Sequence, residues 1–290
     1  MEQKRRHHRY GRARKKRKSR LVSTLILVVS AAVFVFAAVQ LVRQTLPYYT
    51  GGKEYDKVRD LALTAGEQED GRLKIDFAAL KAENPDTVAW IQFEEPSVIN
   101  YPVVQSKDNK EYLTKTFSDS DNKLGAIFMD MRNTSFRDRN VFIYGHNMKV
   151  GGEMFSQLNA YADEEFCREH PYFYIYTAEG KVLQYQVFSA GVIKDTAENY
   201  QISYASEEEF VRYLDLCKAS SAYAVDVELN AESKIVSLST CTNVRDDERF
   251  LVQGVLVKEE YCAAAEKAAA QRRRVPGSGE SRPAEEKSAG

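Results

Sequence analysis

A run of 22 uncharged residues, 21–42 (LVSTLILVVSAAVFVFAAVQLV), constrains this chain more than any other feature. At about 1.5 Å per residue, a helix of that length crosses the roughly 30 Å hydrocarbon layer of a bilayer. A signal peptide usually has an apolar core of only about 7 to 15 residues, followed by a small-x-small cleavage site. This run is longer and ends in Gln40, Leu41 and Val42. The sequence therefore predicts an uncleaved, single-pass transmembrane anchor over residues 21–42.

The residues before this run are strongly basic. Residues 1–20 contain eleven Lys or Arg and one acid, Glu2, which gives a net charge of +10. Because the whole chain carries −1, residues 21–290 carry −11. Short cationic flanks stay on the cytoplasmic side, so we expect a cytoplasmic tip at 1–20 and an extracellular body after Arg43. A polybasic segment beside a membrane span is more typical of contact with anionic lipid, so no nucleic-acid partner is expected.

Composition divides the remaining chain into three parts. Residues 43–75 are predicted to form a stalk, punctuated by Pro47 and two glycines, and a short membrane-proximal helix over 54–65. Residues 76–262 hold the runs that can build a core and are expected to form the main domain. Residues 263–290 contain almost no large apolar side chain, which predicts a disordered tail.

Short runs rich in β-branched and aromatic residues follow from residue 98 and predict a largely antiparallel barrel or sandwich. One or two helices are predicted over 76–91, opened by Asp76 and interrupted by Pro85. Another is predicted over 206–221, where Ser206 and Glu209 form a capping box. The predicted strands are INYPVV, GAIFMD, NVFIYGH, YFYIYT, LQYQVFSAGVI, KIVSLSTC and FLVQGVLV.

Four cysteines follow the apolar run: Cys167, Cys217, Cys241 and Cys262. Outside the cell they could form two disulfides or remain four thiols, and the sequence leaves both open. None of their spacings is CxxC, so neither a zinc site nor a redox pair is indicated. Cys217 lies on the apolar face of the predicted helix over 206–221 and is expected to be a core residue.

Cys241 ends a predicted strand between small hydroxyl residues and precedes the polar stretch TNVRDDER. A cysteine nucleophile needs a partner that exchanges protons and donors for the oxyanion. His146 ends the strand in VFIYGHNM and suits the first role, whereas His170 is expected to be a surface or capping residue. Arg249 suits the second role, because its charge persists and its planar fork holds two oxygens. Arg245 is a rival for that role.

Several segments in this order resemble class B sortases of Gram-positive bacteria, from about residue 76 to residue 258. The helix over 206–221 resembles the extra helix that distinguishes class B from class A. The resemblance implies a mainly β (α+β) fold, an eight-stranded barrel with N-terminal helices and a helix inserted between late strands. Residues 76–262 would be its catalytic domain. The segments are INYPVVQ, DNKEYL, GAIFMDMRN, YGHNM, MFSQL, SLSTCT and RFLVQGVLV.

The resemblance also implies an activity. It matches Cys241, His146 and Arg249 to the catalytic residues of a cysteine transpeptidase that cleaves a C-terminal sorting signal after Thr. A Cys thioester would then be transferred to a peptidoglycan amine. The implied partners are surface proteins that carry the signal and the cell wall precursor, and no metal or cofactor is required. The substrate-binding positions implied by the family are Asn109, Leu113, Tyr144, Tyr200 and Ser239.

Other interpretations share these residues. A pilus-assembling sortase would use a pilin Lys as acceptor, and a plain membrane-anchored cysteine peptidase would use water. Packing within a barrel accounts equally well for Tyr144 and Tyr200, and the capping of a turn accounts equally well for Asn109. A binding domain with a dead site is disfavoured, because Cys, His and Arg are present together.

Overall fold

The structure is a computed structural model that describes residues 2–63, 72–148 and 151–261. It divides after Thr50 into two units, which are described separately. The predicted tail over 263–290 and Cys262 lie outside the described residues.

The first unit consists of helix α1, which spans Glu2–Ala62 and continues into the second unit. The apolar side chains over residues 22–39 are exposed, with Phe34 at 74%. Within the described part of the chain, this is the one helix long and apolar enough to cross a membrane, a test that a signal sequence near the N-terminus also passes. The helix continues through Pro47 and through both glycines of the predicted stalk. The interruption predicted there is absent, because a proline removes only one backbone donor and the turns on both sides remain helical.

The second unit contains a closed barrel of eight strands, as predicted. The strand order around the barrel is β1-β2-β3-β4-β7-β8-β6-β5. The pairs β2·β3 and β4·β7 are parallel, and the other pairs are antiparallel. The strands are β1 (Thr87–Phe93), β2 (Asn100–Val104), β3 (Ile127–Met129), β4 (Asn140–Tyr144), β5 (Tyr172–Thr177), β6 (Lys181–Lys194), β7 (Ile235–Cys241) and β8 (Glu248–Tyr261).

Strand β1 corrects the helical interpretation of residues 76–91. Only the first part of that segment is helical: α2 spans Phe77–Glu83, and the side chain of Asp76 caps it by accepting from Ala79 N at 2.9 Å. The chain then becomes extended and pairs with both β2 and β5. The apolar run of this strand is buried, with Trp90 fully inaccessible. A short buried run does not alternate between polar and apolar residues, so its sequence resembles a continuation of the helix.

Two further helices, α3 (Glu164–Glu169) and α4 (Glu207–Ala219), lie between strands. Helix α4 lies between β6 and β7, as predicted, and Ser206 Oγ accepts from Glu209 N at 3.2 Å at its start. Cys217 is a buried core residue of α4. Cys167 and Cys241 are, like it, free thiols. The structure therefore has no disulfide among its described cysteines.

Candidate active site

Strand register brings Cys241 and His146 to one end of the barrel. In the parallel pair β4·β7, Tyr144 lies opposite Ser239, and Gly145 N donates to Ser239 O at 3.2 Å. His146 lies two residues beyond Tyr144, and Cys241 lies two residues beyond Ser239. The two segments are neighbours and run in the same direction. Asn147 Nδ2 extends the connection by donating to Cys241 O at 2.7 Å. The thiol and the imidazole, 95 positions apart in sequence, thus belong to adjacent strand ends.

Arg249 lies directly opposite Cys241 in the antiparallel pair β7·β8. Its guanidinium is held by three acceptors: Nη1 donates to Asp246 O at 2.7 Å and to Glu248 O at 2.9 Å, and Nη2 donates to Asp195 Oδ2 at 3.3 Å. Nε and the second hydrogen of Nη2 have no partner within the described residues, so they remain for a ligand.

The rival arginine is oriented differently. Arg245 has a side chain that is 68% exposed, against 26% for Arg249, and it pairs with Glu248 at 3.3 Å. It does not line the cavity beside Cys241, whereas Arg249 does.

That cavity has a volume of about 420 Å³ and brings together every residue that the sequence singled out for the site. Phe128, Arg132, Gly145, Asp195 and Thr240 also line it. The residues predicted from the sequence are Cys241, His146, Arg249, Asn109, Leu113, Tyr144, Tyr200 and Ser239.

A backbone carbonyl fixes the His146 ring. Nε2–H donates to Leu113 O at 2.7 Å, at the end of a 3₁₀ turn over Glu111–Leu113. Since a carbonyl can only accept, this bond selects the form of imidazole that carries a proton on Nε2. Nδ1 is therefore the unprotonated nitrogen of the ring in this form. The family resemblance implied Leu113 as a substrate-binding position and did not identify its carbonyl as a partner of His146, because a backbone acceptor has no residue-type signature.

Asp130 organises one wall of the cavity and was not identified from the sequence. Its buried carboxylate accepts from Arg132 Nε and Nη2, both at 2.9 Å, from Asn109 Nδ2 at 3.0 Å and from Tyr144 OH at 2.8 Å. Burial by itself would raise the pKa of Asp130, but the hydrogen bonds from Arg132 and Tyr144 lower it below its ordinary value. Asn109 completes the wall by accepting from Met131 N at 2.8 Å. The sequence offers only one signal for the importance of Asp130: it is the last residue of a predicted strand and precedes Arg132 by two residues.

Tyr200 and Ser239 form a second hydrogen-bonded group in the lining of the cavity. Their hydroxyl oxygens lie 2.8 Å apart in a hydrogen bond, and the Tyr200 ring stacks on Phe142 with 5.4 Å between ring centroids. Burial raises the pKa of Tyr200, so its hydroxyl stays neutral at physiological pH. Thr240, between Ser239 and Cys241, has a buried hydroxyl with no hydrogen-bond partner among the described residues.

Comparisons with known proteins agree with this geometry. A family model described as Sortase domain matches residues 94–257. Sortase B of Listeria monocytogenes serovar 1/2a is 36% identical over 192 residues, which cover 64% of this chain and 76% of the relative. Sortase B of Staphylococcus aureus strain NCTC 8325 / PS 47 is 28% identical over 240 residues, 81% of this chain and 96% of the relative.

Solved structures show the same likeness. The Staphylococcus aureus sortase B–substrate complex superimposes with a TM-score of 0.67 at 26% identity, over 73% of this chain and 99% of that one. Sortase B from B. anthracis in complex with AAEK1 superimposes with a TM-score of 0.64 at 32% identity, also over 73% and 99%.

The barrel, the cysteine at a strand end and these matches define a cysteine transpeptidase of the bacterial cell wall. The chain belongs to the sortase family, with class B as its group. The resemblance found in the sequence is thereby confirmed for family, fold and type of enzyme.

Proposed function

We propose that this transpeptidase cleaves a C-terminal sorting signal after Thr and joins the new carboxyl end to a peptidoglycan amine through a thioester on Cys241. The observation that carries the proposal is the strand register, in which Cys241 pairs with Arg249 and is two residues beyond the pair that Ser239 forms with Tyr144. A nucleophile, a proton carrier and a cationic donor at one cavity are the groups that acyl transfer needs.

In the first half of the reaction, the Cys241 thiol passes its proton to His146 Nδ1, and the resulting thiolate attacks the carbonyl carbon of Thr with the electron pair that forms the C–S bond. Arg249 stabilises the resulting oxyanion with the N–H groups that its three carbonyl and carboxylate partners leave over. The intermediate collapses with cleavage of the C–N bond, and His146 delivers a proton from Nδ1 to the departing amine. The product of this half is the thioester.

In the second half, an amine of the peptidoglycan precursor attacks the thioester. His146 Nδ1 takes up the proton that this amine loses, while Leu113 O continues to hold Nε2–H. The C–S bond breaks, and the Cys241 thiolate is regenerated. The net result is one amide bond exchanged for another, which needs neither a metal nor a cofactor.

The sorting peptide is proposed to lie in this cavity. Asn109 and Tyr144 are preoriented by Asp130, and Tyr200 and Ser239 are preoriented by their mutual hydrogen bond. The Leu113 side chain is 39% exposed and offers an apolar contact beside His146. Preoriented groups of this kind lower the entropic cost of binding.

Residues 21–42 are proposed to anchor the enzyme in the cell membrane with residues 1–20 cytoplasmic and the catalytic domain, 76–262, extracellular. The charge of +10 before the apolar run supports this orientation, as does an enzyme class that acts on the cell wall. Residues 43–75 would connect anchor and domain, and residues 265–290 would be dispensable for activity.

Mass spectrometry tests the proposed reaction. The full chain in detergent is incubated with a small panel of sorting peptides, with and without a peptidoglycan stem-peptide amine or a Lys-containing peptide. We expect an acyl adduct on Cys241. The adduct should be lost in Cys241→Ala and retained in every other cysteine-to-alanine variant. With the stem-peptide amine, we expect an amide product. Free acid as the sole product at saturating amine would identify a peptidase, and preference for the Lys peptide would identify a pilus-type acceptor.

A further inference from the structure

The part of α1 that belongs to the second unit, Gly51 to Ala62, packs against the barrel through Tyr55. This side chain is 2% exposed. Its hydroxyl donates to Gly125 O at 2.7 Å and accepts from Phe117 N at 3.2 Å. One phenol therefore joins two points of the loop between β2 and β3. Glu54 adds a third connection, since its Oε1 accepts from Ser118 N at 3.1 Å.

Gly125 lies beside both the Leu113 carbonyl and the His146 ring. Its φ is +59°, and a Cβ at this position would lie 3.0 Å from Leu113 O and 3.0 Å from His146 Cδ2. Tyr112 O would be closer still, at 2.5 Å. No side chain fits there, so the Gly125 backbone lies directly against both partners of the bond from His146 Nε2 to Leu113 O. Because Tyr55 fixes the position of Gly125, it also affects the position of the Leu113 carbonyl relative to the His146 ring.

The same helix reaches the backbone of His146 by a second route. The Tyr55 ring meets the Tyr101 ring edge to face, with 5.3 Å between centroids. Tyr101 OH accepts from Met154 N at 3.3 Å, and the next residue, Phe155, donates from its N to His146 O at 3.0 Å. Tyr55 thus contacts the loop that carries Leu113 directly, and it reaches the segment of Met154 and Phe155 through Tyr101.

We infer that Tyr55 is a positioning residue for His146: its hydroxyl fixes the loop that carries Leu113 and so keeps the imidazole proton on Nε2. The C-terminal turns of α1 then belong to the catalytic apparatus as well as to the link with the anchor. This inference rests on the proposed role of His146. A displacement of a reacting group by about 1 Å can cost on the order of 100-fold in rate, so a hydroxyl remote from the thiol can affect turnover.

The test compares Tyr55→Phe with Tyr161→Phe in the full chain in detergent. Tyr161 is also 2% exposed, and its hydroxyl donates to a backbone carbonyl, His170 O, at 2.8 Å, which lies outside the loop between β2 and β3. Both variants keep the ring, but Tyr55→Phe loses two hydrogen bonds of the hydroxyl and Tyr161→Phe loses one, so the melting temperature is expected to fall somewhat further in Tyr55→Phe. Turnover is measured with the sorting peptide that gives the strongest Cys241 adduct, and the imidazole tautomer is measured by ¹⁵N NMR of histidine-labelled protein.

For Tyr55→Phe we expect kcat to fall by about 10-fold with KM within about twofold, and the His146 signals to show an increased share of the form with the proton on Nδ1. Tyr161→Phe should match the wild type in both readouts. Equal kcat and an unchanged tautomer in Tyr55→Phe would overturn the inference, as would equal losses in the two variants.

Two further variants keep the outcome interpretable. Glu54→Ala removes the contact with Ser118 N in the same loop between β2 and β3. We expect it to increase the share of His146 with the proton on Nδ1, but by less than Tyr55→Phe does. It replaces Tyr55→Phe if that variant does not fold, and a wild-type tautomer in it would then count against the inference. His146→Ala distinguishes failure of the proposed function from failure of the inference about Tyr55. Full activity in His146→Ala would refute the proposed function. Loss of activity in His146→Ala together with normal activity and tautomer in Tyr55→Phe would refute the positioning role alone.

Discussion

The cysteine and histidine sides of the cavity are built by different means. Cys241 and Arg249 form the last pair of a regular antiparallel ladder, so backbone hydrogen bonds of the barrel determine where they lie. His146 lies beyond the end of β4, and its ring depends on Leu113 O, which a loop supplies. Substitutions on the cysteine side should therefore act through the chemistry of the altered side chain. Those on the histidine side should act through the position of the loop.

The largest effect is expected where chemistry alone changes. Arg249→Lys keeps a positive charge but loses the planar fork, and removal of an oxyanion donor costs roughly 10² to 10³ in kcat. Arg245→Ala is the control, because this exposed side chain does not line the cavity. Peptide turnover and thermal unfolding measured in parallel should show a strong loss of activity in the first variant, a mild one in the second, and similar stability. If Arg245→Ala lost its activity while Arg249→Ala kept near-normal activity, Arg245 would be the oxyanion donor instead.

An intermediate effect is expected on the histidine side. Gly125→Ala introduces a Cβ 2.5 Å from Tyr112 O and 3.0 Å from the His146 ring, so the loop must move away from the imidazole. We expect kcat to fall by about 30-fold, in proportion to a displacement below 1 Å. Gly180→Ala, in the turn between β5 and β6, is the matched control, since its φ is +80°. Both changes should destabilise the fold by about 1 to 2 kcal/mol, the cost of a left-handed backbone for alanine. Equal kcat losses in both would mean that strain, not the site, was measured.

The smallest effect is expected in binding. Asp130→Asn weakens the bonds that orient Asn109 and Tyr144, so KM should rise by about 10-fold while kcat changes little. Asp138→Asn is the control, because this carboxylate also accepts several bonds, but from Asn133 and Thr134, which do not line the cavity. A kcat loss in Asp130→Asn that exceeds the KM effect would place Asp130 with the chemistry rather than with the peptide.

Stability should follow pH at Asp130 as well. Its pKa in the folded state is lowered, so its carboxylate contributes stability that is complete above the ordinary Asp value of about 3.9 and is lost as the pH falls through the folded value. The difference in unfolding free energy between the wild type and Asp130→Asn should therefore be constant near neutral pH and shrink below about pH 4. Urea unfolding at a series of pH values measures it, and a difference that grows on acidification would contradict the assigned direction.

Sequence patterns predicted seven of the strands, the capped helix α4 and the three residues proposed for catalysis. They failed at β1, because a fully buried strand and a helix segment have the same run of apolar residues, and only pairing with β2 and β5 distinguishes them. They also failed at Asp130. Its importance comes from its burial among Arg132, Asn109 and Tyr144, which are not its neighbours on one strand.

The sequence by itself determined the chemistry available to this protein: an apolar run preceded by eleven cations, a cysteine at a strand end, a histidine at another and an arginine leading into a third. These are local properties of side chains and periodicity. Only the tertiary structure decided which strand ends meet, because the parallel register of β4 with β7 joins segments about 95 positions apart. It alone also decided what holds His146, since the Leu113 carbonyl, the Gly125 backbone and the Tyr55 hydroxyl act through positions that the folded chain creates.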